Sequence, residues 1–210
     1  MTSLPMFPLG SVLFPYMPLQ LRVFEERYLV MLSRVLQNEP SEFGVVLIER
    51  GQEVGGGEHR FSFGTVARIT QIGADENVVG LVAQGDRRIE IVEWTAEDPH
   101  PNAVVREIAD LEWDDSLLAL RDEAERTVRR ALARASEFSD LQWSPDVELT
   151  HDPVGAAWQL AAVAPVGPLD QIALLRSATM EDLLNGIIAH TSAAAETLAD
   201  EWPGDEIIEE

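Results

Sequence analysis

Residues 4–32 read LPMFPLGSVLFPYMPLQLRVFEERYLVML, and the apolar period changes within this stretch. The runs Ser11–Phe14 and Pro18–Val23 are short, apolar and bounded by glycine or proline, which is the grammar of strands. From about Phe24 to Gln37 the pattern lengthens. Phe24, Tyr28, Met31, Leu32 and Val35 recur at i, i+4, i+7, i+8 and i+11, giving one apolar stripe of a helix. The start is apolar enough to pass for a secretory leader. It has no basic residues ahead of it, however, and Pro5, Pro8, Pro15 and Pro18 would break the helix such a leader needs, so it reads as mature structure.

Strand grammar continues to about Trp113, with runs at Gly44–Arg50, Gly64–Gln71, Val78–Gln84, Arg88–Trp94 and Val104–Leu111. Residues 51–59, GQEVGGGEH, are too polar and glycine-rich for a strand and read as a loop. Ala74–Asn77 reads as a tight turn, and Ala96–Asn102, AEDPHPN, as a proline-containing loop. Six or seven short strands with one inserted helix predict a partly open β-barrel, because closure hides strand edges.

From Asp114 the period becomes 3.6, with Leu117, Leu120, Ala124, Val128, Ala131 and Ala135 on one face. Asp114, Asp115 and Ser116 can cap this helix, and Arg129, Arg130 and Arg134 sit toward its far end, as the helix dipole favours. Three more helices are expected at Pro153–Val163, Leu169–Ser177 and Met180–Leu198, the last opened by a Thr179/Asp182 capping box. The expected fold class is therefore α+β. A barrel lobe spans residues 1–113, a C-terminal helical bundle residues 114–199 and an acidic tail residues 200–210.

Composition narrows the function. The absence of cysteine removes disulfides, a thiol nucleophile and cysteine-based metal sites, and points to the cytoplasm. All 15 basic residues are arginine, so Schiff-base chemistry, a Ser-Lys dyad and a P-loop lysine are excluded within this sequence, whatever bias in composition produced the pattern. The net charge of −22 repels phosphate backbones and argues against a nucleic-acid partner. Residues 113–210, with 6 Arg against 20 acids, form the more acidic half. No run approaches the roughly 20 apolar residues of a spanning helix, so no membrane role is expected.

The residues of 4–32 also resemble the opening of the amino-terminal substrate-binding domain of Lon proteases: a proline-punctuated strand, a Phe-Pro corner and an Arg-x-Phe-Glu-x-Arg-Tyr helix start. Phe63-Gly64-Thr65-Val66-Ala67-Arg68-Ile69 and Gly85-Asp86-Arg87-Arg88-Ile89 are similar to two strands of that family, and residues 168–175, PLDQIALL, to one of its helices. The resemblance covers about Leu4 to Leu198. It implies a PUA-like barrel packed on helices and a role in recognising unfolded or tagged polypeptide. A free-standing, non-catalytic module without ATPase or peptidase parts is expected. Tyr16 departs from the pattern, since the family commonly has glycine after Phe-Pro.

Five residues are candidates for binding: Phe14, Tyr16, Met17, Arg22 and Arg88. The first three sit on a proline-bounded corner. Exposed, they would grip unfolded peptide; buried, they are core. Arg22, with Glu25, Glu26 and Arg27, either forms a recognition cluster or orients the helix, and Arg88 either meets a ligand or makes an ion pair on the barrel surface. His59, His100, His151 and His190 lack metal-ligand spacing and are expected as isolated surface residues; no metal or cofactor is expected. No Gly-x-Ser-x-Gly elbow appears. The function expected is an adaptor or holdase in protein quality control that binds unfolded polypeptide or a protein partner. The alternative is a small-molecule receptor or hydrolase in a barrel–helix cleft. The sequence leaves the oligomeric state open.

Overall fold

The computed structural model describes residues 1–50, 59–75, 78–137 and 142–201. The chain divides into two compact units, Met1–Asp110 and Leu111–Glu210.

The first unit holds β1 (Thr2–Leu9), β2 (Pro18–Val23), α1 (Glu26–Val35), β3 (Glu42–Arg50), β4 (His59–Asp75), β5 (Val78–Trp94) and β6 (Asn102–Glu107). The sheet order is β2-β5-β4-β3-β1-β6, with a further pairing of β5 to β6 that closes five strands into a barrel and leaves β2 as an added strand. The expected strand Ser11–Phe14 is irregular; the first strand lies earlier, at Thr2–Leu9, in the proline-punctuated segment. Prolines are tolerated there because β1 splits its bonding. Residues 2–5 pair with β6 and residues 6–9 pair in parallel with β3, so Pro5 and Pro8 each keep one unpaired side.

Strands β4 and β5 are longer than the separate runs that announced them, because bulges between Thr65 and Ala67 and between Ile69 and Gln71 let the chain bend without leaving the ladder. Along β5, residues 79–84 pair with β2 and residues 89–94 with β6. The last barrel strand is Asn102–Glu107, earlier than the expected Val104–Leu111. The loop expected at residues 51–59 falls outside the described residues except for His59, which opens β4; Glu76 and Asn77 of the expected turn also lie outside them.

Leu4, Met6, Val46, Val66, Ile89, Ile91, Ala103 and Val105 form one barrel core. Helix α1 buries Tyr28, Met31, Leu32 and Val35 as its period requires, and the Tyr28 ring stacks on Phe7 at 4.1 Å between centroids. Phe24, expected in that stripe, lies before the helix and is 60% exposed.

The second unit holds α2 (Leu118–Ala135), α3 (Pro153–Val163), α4 (Pro168–Leu175) and α5 (Met180–Glu201). Asp114 caps a short 3₁₀ turn at Asp115–Leu117 by accepting from the Ser116 amide, so α2 itself starts four residues later than expected. Its buried face is Ala124, Thr127, Val128, Ala131, Leu132 and Ala135, with Leu117 and Leu120 only half-buried. Arg129 donates to the backbone carbonyls of Pro145 and Val147, tying the following segment to α2. Helix α3 is apolar around most of its circumference and nearly all of it is buried. Helix α5 packs against α2, α3 and α4 and opens with the expected reciprocal box: Asp182 N–H donates to Thr179 Oγ1 and Thr179 N–H to Asp182 Oδ2. The tail from residue 202 onward lies outside the described residues.

Candidate functional site

The proline corner is built by backbone. Tyr16 N–H donates to Gly85 O at 2.8 Å, Gly85 N–H to Met17 O at 2.8 Å, and Thr65 Oγ1 to Leu13 O at 2.6 Å. These bonds fasten residues 13–17 across β4 and β5 and turn Phe14 and Met17 inward, where they are 1% and 8% exposed. An exposed patch of all three corner residues does not form: only Tyr16 presents its side chain, at 40% exposure. Tyr16 also has φ of 63°, the left-handed region that glycine occupies without strain.

Arg88 is 3% exposed, so it is not a barrel-surface residue. Its guanidinium donates to Ala109 O at 2.8 Å and its own carbonyl accepts from Ile108 N–H, which together hold the chain leaving β6. Burial pushes its pKa down, and the Asp110 charge works in the opposite direction. Of the residues at the helix start, Arg27 bonds Glu25 at 3.1 Å and lies over the Tyr28 ring.

Arg22 is separate from all of these. It is exposed on β2 and, among the described residues, makes no hydrogen bond or ion pair. The other arginines of this unit whose side chains are described, Arg27, Arg34, Arg60, Arg68, Arg87, Arg88 and Arg106, each donate to an oxygen. Arg22 borders an open hollow of about 600 Å³ over β2, β5 and β4, whose lining includes Gln20, Gln71, Gly73, Gly80 and Val82. Among the described residues, strand β2 is the terminal strand of the sheet and is bonded to β5 alone. Tyr16 and Arg22 thus mark the two ends of one sheet edge.

A second hollow of about 510 Å³ lies where β1, α1 and β6 meet, and its lining includes two groups whose burial the sequence did not reveal. His100 is 3% exposed rather than on the surface. Its Nδ1 lies 3.2 Å from Pro101 O and its Nε2 3.3 Å from Arg34 Nη1, so Nδ1–H donates and Nε2 accepts. Glu42, 8% exposed, accepts from Arg68 and Arg87. Burial alone would raise its pKa, but the two arginines hold it below the usual carboxylate value. His190, in the second unit, pairs with Asp170 at 2.9 Å. Among the described residues no group of three or more His, Asp or Glu is placed to hold a metal.

The profile of the ATP-dependent protease La (LON) substrate-binding domain matches residues 3–192. The chain belongs to the Lon substrate-binding domain family. A solved structure described as a Lon N-terminal domain protein from Xanthomonas campestris is similar to it, with 26% identity, a TM-score of 0.63 and coverage of 90% of this chain and 98% of that one. The N-terminal domain of Mycobacterium avium complex Lon protease, at 19% identity, shares the fold, with a TM-score of 0.63 over 91% of this chain and 98% of that one. Comparison with curated proteins finds no match. Membership of the Lon family accords with the α+β architecture and supports a substrate-binding role for this Lon-type domain.

Proposed function

We propose that this Lon-type domain binds non-native polypeptide, serves as an adaptor in cytoplasmic protein quality control and carries no catalytic step of its own. The observation that supports this reading is the terminal strand β2, which among the described residues is bonded on one side only, with the exposed Tyr16 just before it and Arg22, unpaired among those residues, near its end. A strand edge offers its free N–H and C=O groups to any extended chain, so affinity comes from backbone and tolerates many sequences. Such tolerance suits recognition of unfolded protein. The charge of −22 disfavours nucleic acid as the partner.

The test is a titration of a fluorescently labelled, permanently unfolded polypeptide with the purified domain, followed by anisotropy. Saturable binding at micromolar concentration, weakened several-fold by Tyr16→Ser, is expected. Absence of binding at those concentrations would remove the reading. Tyr16→Ser is chosen because Phe14 and Met17 are core residues whose replacement would report on folding instead.

A further inference from the structure

Gly73 and Gly80 face each other across β4 and β5, and Gly80 faces Arg22 across β5 and β2. Directly paired residues share a sheet face, so Arg22, Gly80 and Gly73 form one row, with Gln20, Val82 and Gln71 as the neighbouring row. Other sheet glycines have a packing reason to be glycine. A Cβ at Gly64 would lie 2.2 Å from Val45 O, and one at Gly85 would lie 2.1 Å from Phe14 O. Neither reason applies to this pair: a Cβ at Gly73 meets nothing within 4 Å, and one at Gly80 meets only Gly73 O at 3.9 Å. Glycine within a strand weakens it by roughly 0.5–1 kcal/mol relative to alanine, and it marks places where another group approaches the backbone.

The pair leaves bare backbone as the floor of the hollow of about 600 Å³. None of the described residues lining it is acidic, although the protein carries a net charge of −22, and the charged residue among them is Arg22, which has no partner within the described residues. We infer that this hollow is the side-chain subsite of the polypeptide site, and that it takes an aromatic side chain laid flat on Gly73 and Gly80 with a neighbouring carboxylate on Arg22. A planar ring covers bare backbone that no described side chain covers, and the guanidinium pairs with the carboxylate or stacks on the ring edge. The inference rests on the polypeptide-binding reading and adds to it a preference for an aromatic residue next to an acidic one.

The experiment titrates the ¹⁵N-labelled full chain with a nonapeptide of serine and glycine carrying one central phenylalanine–aspartate pair, alongside twins with alanine for phenylalanine or asparagine for aspartate. Saturable shifts of the Gly73, Gly80 and Arg22 amide signals are expected. The asparagine twin should bind about three- to fivefold more weakly to the wild type and no more weakly to Arg22→Gln. Gly80→Val and Gly73→Val, each placed into open space, should keep the fold and lose at least about tenfold in affinity for the pair-bearing peptide. Either variant binding as the wild type does, or shifts confined to other strands, overturns the subsite. If the long unfolded polypeptide still binds in that case, only the subsite falls. If neither ligand binds the wild type, the polypeptide reading falls with it.

Discussion

A side chain at Gly85 would meet Phe14: the Cβ would lie 2.1 Å from the Phe14 carbonyl oxygen and 3.0 Å from its carbon, both backbone atoms that the corner's hydrogen bonds hold in place. Gly85→Ala is therefore expected to destabilise the first unit by about 3 kcal/mol or more, through forced movement of backbone at the point where β5 passes from β2 to β6. Gly80→Ala has room for its methyl and is expected to be neutral or stabilising by up to about 1 kcal/mol. Urea denaturation of the two variants side by side checks both.

Tyr16 occupies a conformation that costs a β-carbon-bearing residue about 1–2 kcal/mol. Tyr16→Asn, which tolerates left-handed backbone, is expected to be at least as stable as the wild type. Tyr16→Val is expected to lose about 1–2 kcal/mol, because β-branching makes this region still less accessible. Thermal midpoints of the two variants give the comparison, and a loss in Asn equal to that in Val would show that the tyrosine ring, not the backbone, dominates.

Glu42 should confer a pH-dependent part of stability. Its folded pKa lies below the usual carboxylate value, so the stabilisation is fully present above that value and is lost as pH falls through the folded pKa. Glu42→Gln is expected to cost about 2 kcal/mol near neutral pH, where Arg68 and Arg87 lose a charged acceptor, and the gap to the wild type should narrow below about pH 4. Urea midpoints between about pH 3 and pH 7 measure it.

Arg88 should behave as a structural residue. Arg88→Leu removes the donor to Ala109 O inside a buried setting and is expected to cost about 2 kcal/mol while leaving affinity for unfolded polypeptide unchanged. A selective loss of affinity at full stability would return it to the binding surface.

Local patterns carried the helices into the sequence reading. Pro153–Val163 and the start of α5 at Met180 follow from periodicity and from the Thr179/Asp182 box, both contained within a few residues. The fold of the first unit was legible as a barrel with an inserted helix, but not in its register. Nothing local in Thr2–Leu9 reveals that Pro5 and Pro8 are tolerated because two different strands share β1. The same limit governed the candidate residues. Phe14 and Met17 turn inward because Gly85 bonds across the corner, and Arg88 is buried because the chain returns past it at Ile108 and Ala109. Gly73 and Gly80 stand out only through their cross-strand pairing and the room that a Cβ would have at each. The burial of Glu42 had one available signal, an acid at the head of an apolar strand, but its arginine partners come from β4 and β5, more than a loop away in sequence.

Docking of polypeptide on β2 is measured directly by amide hydrogen exchange. The domain is exchanged with and without saturating amounts of a permanently unfolded polypeptide, and protection is compared strand by strand. Added protection is expected in residues 18–23 and in the paired residues 79–84 of β5, with the helices of the second unit unchanged. Protection that appears only in the second unit, with β2 exchanging as it does in the free protein, would contradict it.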